Sequence, residues 1–205
     1  LLTIYVAWHP SFQEGKEVAL ALFQHYRRDL YRNVAGGSGL PVIYRSQPPE
    51  GEAVPIDIDM EGAEATAIVM LIDEHWTGDP ARVEWGRRIS AAADETGLGT
   101  LVFPVAIDGS GIAKGVILEQ AARWDKWTED SQSVKLRRLF TALSYEFCRM
   151  TRRYLDHLER PDLAEDDLSA FLRKVEVFLS HSKHDEDGIE IALQFRKYVQ
   201  NAGYD

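Results

Sequence analysis

Two apolar runs constrain this chain more than any other feature: residues 66–72 (TAIVMLI) and 100–107 (TLVFPVAI). Neither alternates apolar with polar residues, as a strand with one wet face would. Both must be covered on two sides, which is the condition of strands in a parallel sheet. Residues 2–7 (LTIYVA) and 40–44 (LPVIY) read as two more strands of the same kind. Between them lie segments with helical spacing. Val18, Leu22, Tyr26 and Leu30 mark a helix over residues 15–31, and Asp79 followed by Pro80 marks the N-cap and first position of another over residues 80–93. The longest periodic segment spans residues 134–158. Its apolar face carries Leu136, Leu139, Phe140, Leu143, Phe147, Met150, Tyr154 and Leu158, and its opposite face is rich in arginine. Residues 116–127 are ambiguous and contain a short edge strand near Arg123-Trp124.

Strands alternating with one-sided helices specify βα units. The expected fold is α/β: a doubly wound, mainly parallel, five-stranded sheet flanked by helices, of flavodoxin-like type. It occupies residues 1–158. A polar, proline-containing linker follows over residues 159–174, and residues 175–205 supply the first strand and helix of a second unit. The chain opens without Met and is read as a piece of a longer protein. No apolar run approaches the roughly 18–20 residues of a membrane span. The net charge of −10 argues against a nucleic-acid-binding face. The single cysteine, Cys148, excludes an internal disulfide and fits a reducing, cytoplasmic setting; on the apolar half of its helix it is expected to be inert.

Ligands of such sheets bind where the strands end. Four segments are therefore of interest: Trp8-His9-Pro10-Ser11, Arg45 to Gly51, Asp73-Glu74-His75-Trp76, and Asp108. Several other features carry less. Asp57, Asp59 and Glu61 would share one face of an extended segment, but no glycine turn or further ligand completes a cation site, so a wet face is favoured. His181 and His184 lack a metal-binding helical spacing. Gly36-Gly37-Ser38-Gly39 has neither the context of a dinucleotide fingerprint nor the lysine of a phosphate loop. No metal is expected.

Near the C-terminus, Phe178-Leu179-Ser180-His181-Ser182, Asp185 and the pair Gly203-Tyr204 resemble the opening strand, box and helix of a Toll/interleukin-1 receptor (TIR) domain. Residues 1–158 are similar to the same family more loosely. The strand at residues 4–7, the helix and the strand at residues 40–44 follow its order, and the loop Arg45-Ser46-Gln47-Pro48-Pro49-Glu50-Gly51 resembles the family's loop after the second strand. Residues 67–72 followed by Asp73-Glu74-His75-Trp76 look like its third strand and turn. Pro80-Ala81-Arg82-Val83-Glu84 aligns with a Trp-Cys-x-x-Glu element: the glutamate is kept and the Trp-Cys is not. The first box is altered to Ala7-Trp8-His9. The resemblance implies tandem TIR-like units in a signalling or immune-type protein that assembles with other TIR domains into a homo-oligomer.

It also implies hydrolysis of NAD, as substrate, at the nicotinamide–ribose bond. That cleavage builds positive charge on the ribose, which a facing carboxylate stabilises, and the departing nicotinamide needs no general acid. By motif position the carboxylate is Glu84, with Trp8, His9, Arg45 and Trp76 as the nucleotide-binding set and Trp85 as a further stacking residue. The competing reading makes Glu84 a solvated first-turn carboxylate, Arg45 a solvated loop cation and the tryptophans packing residues. Residues 1–158 would then be a degenerate partner of a catalytic second unit. The alternative function is a non-catalytic TIR scaffold or interaction module.

Overall fold

The computed structural model describes residues 2–27, 39–116, 121–128 and 131–159. The chain divides into two units, Leu1–Asp162 and Leu163–Asp205. The expected second-unit strand and box, and most of the Gly36–Gly39 linker, lie outside the described residues.

The first unit is an α/β fold with four parallel strands: β1 (Leu2–Trp8), β2 (Val42–Arg45), β3 (Ala65–Ile72) and β4 (Thr100–Ala106), in the order β2-β1-β3-β4. This is the first part of the doubly wound 2-1-3-4-5 order. All eight residues of β3 are buried, as a central strand apolar on both faces requires. β4 carries Pro104 and lies at the edge of the four, where a missing N–H is tolerated. Among the described residues the fifth position holds one parallel bridge, Val105 to Ala122, rather than a strand. The chain turns away there into a 3-10 turn, Trp124–Lys126, held by Arg123 Nε donating to Asp125 at 2.8 Å. β2 starts later than the run at residues 40–44 suggests. Pro41 has no N–H to give, although its carbonyl accepts Ile4 N–H at 2.9 Å.

Helix α1 (Gln13–Tyr26) begins two residues before its expected start. α2 (Glu74–Gly78) is a single turn that the sequence pattern does not reveal. α3 (Pro80–Glu95) starts at the expected proline, with Asp79 Oδ1 accepting from Ala81 N and Arg82 N at 3.0 and 3.3 Å. α4 (Ser110–Ala113) is short, and α5 (Gln132–Glu159) is the long amphipathic helix.

Side chains alternate across the sheet into two cores. Ile4, Val6, Ala67, Val69 and Leu71 meet Val18, Ala19 and Leu22 of α1 and Leu139, Leu143, Phe147 and Met150 of α5. Tyr5, Ala7, Ile68, Met70 and Ile72 meet Trp76 of α2 and Trp85 and Ile89 of α3. Cys148 is exposed, not held in the apolar half of α5. Its i−1 and i+2 neighbours, Phe147 and Met150, are the ones that face the core. No helix of the described residues is long and apolar enough to cross a membrane.

Candidate functional site at the strand tips

The register sets the carboxyl ends of the strands side by side: Ala7 pairs with Arg45 and Met70, Trp8 with Leu71, and Ile72 with Ala106. Two environments form there.

The first is a cleft of about 520 Å³ beyond β1 and β2. Its apolar walls are Trp8, Phe12, Tyr44 and Ile56, and its cations are Lys16 and Arg45. Trp8 meets Tyr44 edge to face, with ring centroids 5.3 Å apart. Gly15 lets α1 close down on this corner: a Cβ there would lie 2.4 Å from Phe12 and 2.7 Å from Trp8. Arg45 is folded back, with Nη1 donating to the Tyr44 carbonyl at 3.0 Å and the guanidinium 5.0 Å from the Tyr5 ring centroid. Ser46 ends the cleft. Its side chain is buried and its Oγ has no hydrogen-bond partner.

The second environment is a polar cluster beyond β1 and β3. Asp73 Oδ1 caps α2 by accepting from Trp76 N at 3.0 Å, while Oδ2 lies 2.6 Å from His75 Nδ1. A carboxylate only accepts, so His75 donates from Nδ1. His9 has the opposite arrangement. Its Nδ1 accepts Ser11 N–H at 3.2 Å, and its Nε2 faces Asp79 Oδ2 at 3.6 Å. The two imidazoles stack with centroids 5.9 Å apart. Burial lowers the His9 pKa, aided by the Arg82 charge and opposed by Asp73 and Asp79.

Arg82 is the unusual member. It is 1% exposed. Its Nη2 donates to the Ser46 carbonyl at 2.7 Å, but Nε and Nη1 have no hydrogen-bond partner among the described residues. The guanidinium lies 5.5 Å from the Trp76 ring and 5.7 Å from the Trp85 ring. Burial brings its pKa down to about 10, against the pull of Asp79. Desolvating a cation costs several kcal/mol. One charge-assisted hydrogen bond returns about 1.5–3 kcal/mol, and each ring contact about 0.5–2 kcal/mol. The orphaned nitrogens remain uncompensated. Trp76 Nε1 is likewise buried and unpartnered, whereas Trp85 Nε1 donates to Asp57 Oδ1 at 3.1 Å.

Of the residues expected at a nucleotide site, Trp8 and Arg45 line the cleft, and His9 belongs to the adjacent cluster. Trp76 is fully buried in the core with Trp85. Glu84 stands apart on the outer side of α3, with its side chain 75% exposed and Arg87 Nη1 3.9 Å away. Asp57 and Asp59 do not share a strand face. Asp57 bonds Trp85 and Arg88, and Asp59 Oδ1 accepts Glu61 N–H and Gly62 N–H in a local turn. Among the described residues no three His, Cys, Asp or Glu side chains are grouped to hold a metal ion. Ser46 falls in the strand-tip segment Arg45 to Gly51, whereas Lys16, Tyr44 and Arg82 were not distinguishable as site residues from the sequence. Only Arg82 left a signal, an arginine on the stripe of α3 that continues through Trp85, Ile89 and Ala93.

No protein-family model, curated protein or solved structure matches this chain.

Proposed function

We propose that residues 1–158 form a TIR-like unit that assembles with like domains without hydrolysing NAD itself, in a signalling or immune-type protein. In this reading the intact protein cleaves NAD at the nicotinamide–ribose bond through the unit that begins at residue 175. The parallel order β2-β1-β3-β4, with its loops gathered at the strand tips, supports a unit of this type.

The observation that carries the non-hydrolysing role is Glu84. A carboxylate stabilises a ribosyl cation strongly only from a desolvated, fixed position. Glu84 lies in water, 75% exposed, on the side of α3 away from Trp85. Two unit charges 4 Å apart in bulk water interact by only about 1 kcal/mol, less than one factor of ten in rate.

The test is nicotinamide release from NAD, followed by chromatography on concentrated, assembled protein. The expected result is no release by this chain, no change in Glu84→Ala, and release by the longer native protein. Release by this chain that Glu84→Ala abolishes would overturn the reading and make Glu84 catalytic. Inertness of the longer protein, with self-association intact, would leave a scaffold in place of a hydrolase.

A further inference from the structure

The buried polar atoms left without partners at the strand tips are mainly donors, and they concentrate around one helix face. Arg82 offers Nε and Nη1, Ser46 offers Oγ–H, and Trp76 offers Nε1–H. Arg82 and Ser46 are joined directly by the 2.7 Å bond to the Ser46 carbonyl. Trp76 lies against the next turn of α3, where Gly86 makes room: a Cβ there would meet the indole at 3.1 Å. All three side chains are more than nine-tenths buried.

Among the described residues no carboxylate bonds the guanidinium, although the Asp79 charge acts on it. Asp79 spends Oδ1 on Ala81 N–H and Arg82 N–H and turns Oδ2 towards His9. Asp73 spends both oxygens on Trp76 N–H and His75. A cation held out of water with no carboxylate bonded to it among the described residues, beside further free donors, matches an anion rich in acceptors. A carboxylate brings two oxygens to such a set; a phosphate brings three or four. Ser46 also lines the cleft of about 520 Å³, which carries Lys16 and Arg45 and no acidic side chain among its described lining residues. Of the three donors only Ser46 lines it, so a phosphate group has a basic approach to Ser46, with Arg82 bonded to the Ser46 carbonyl behind it.

We propose that Arg82, Ser46 and Trp76 form a receptor for a phosphate group, reached from the cleft at the tips of β1 and β2. The group is either inorganic phosphate or the phosphate of an ester whose organic part lies against Trp8 and Tyr44. This site does not depend on the TIR-like reading and uses no atom of Glu84.

The experiment is thermal melting and isothermal titration calorimetry of the whole chain at constant ionic strength. The probes are inorganic phosphate and adenosine monophosphate, with sodium acetate as control. The expected result is a saturable rise in Tm with phosphate and none with acetate. Arg82→Met should abolish the rise while melting higher than the wild type in ligand-free buffer, and Ser46→Ala should weaken binding several-fold. Tighter binding of the nucleotide by tenfold or more, reduced to the phosphate level by Tyr44→Ala, would assign an ester; equal affinity would assign the free anion. Absence of a saturable shift with both phosphates, an equal shift with acetate, or an unchanged response in Arg82→Met would overturn the proposal. Should Arg82→Met fail to fold, the wild-type titration and Ser46→Ala decide.

Discussion

The two faces of the sheet are built from the same strands and obey different rules. The α1–α5 side is mainly aliphatic and aromatic, with Leu22, Leu139 and Met150 fully buried; its polar exceptions, Asp156 and Arg153 Nε, lie near the C-terminal end of α5. Its deepest hydroxyl, on Tyr26, is satisfied by Ser144 Oγ at 2.9 Å and the Phe140 carbonyl at 3.2 Å. The α2–α3 side buries tryptophans, a guanidinium and an aspartate, and leaves several polar atoms unpaired. A face organised only for stability does not retain uncompensated charge, because hydrophobic replacement is neutral or better. Local departures from packing rules concentrate where a protein does something else. The contrast is the ground for placing the proposed phosphate receptor on the α3 side, at the end where Arg82 meets the strand tips.

The sharpest way to break that contrast is to cut one large buried side chain on each face. Leu139→Ala removes a side chain with no exposed surface and leaves a cavity between α5 and the sheet. A loss of about 2–5 kcal/mol is expected in urea denaturation. Arg82→Met, with similar burial, should go the other way and gain about 0.5–2 kcal/mol. A loss in Arg82→Met comparable to that in Leu139→Ala would mean that both faces serve stability alone. Between these extremes, Gly15→Ala forces Phe12 and Trp8 apart from α1 and should cost about 1–3 kcal/mol while reshaping the cleft.

How much of this was legible in the sequence follows from the same contrast. β3 and β4 could be read because parallel strands buried on both faces are apolar without alternation. α3 could be located to its first residue because Asp79-Pro80 is a local signal, closed by hydrogen bonds within two or three positions. Trp8 and Arg45 could be nominated because strand tips are where such sheets open. Arg82 could not. An arginine at helical spacing ordinarily reads as solvated, and its burial here depends on contacts distant in sequence: the Ser46 carbonyl, and Trp76 closing over Gly86. α2 was illegible for a simpler reason, since one turn containing a single large apolar residue has no period.

Titration compares the faces more gently, with a histidine on each. Burial lowers the pKa of His25, which stacks on Phe140 at 4.2 Å, and of His9, where the Arg82 charge adds to the effect. Both folded-state values lie below the ordinary 6.5. The folded chain therefore binds fewer protons than the unfolded chain as pH falls through that value. Stability is fully present above pH 6.5 and declines below it, until the folded-state values are passed. Melting at pH 7.5 and 5.5 should show the drop. His9→Gln should remove more of it than His25→Gln, since His9 is the less exposed ring and sits beside a buried cation. Equal effects would mean that the polar cluster exerts no special hold on His9.

The smallest effect belongs to the outer side of the same helix that carries the buried arginine. Glu84 and Arg82 are two residues apart on α3, yet one side chain is 75% exposed and the other residue 1% exposed. Among the described residues Glu84 pairs with Arg87, at 3.9 Å and between two exposed side chains, and such surface pairs contribute little. Glu84→Gln should change unfolding free energy by less than about 0.5 kcal/mol and leave phosphate binding at the Arg82 site unaltered. If Glu84→Gln instead weakened that binding tenfold, the outer and inner sides of α3 would be one functional surface, and the division between a structural face and a chemical face would have to be redrawn around the helix rather than across the sheet.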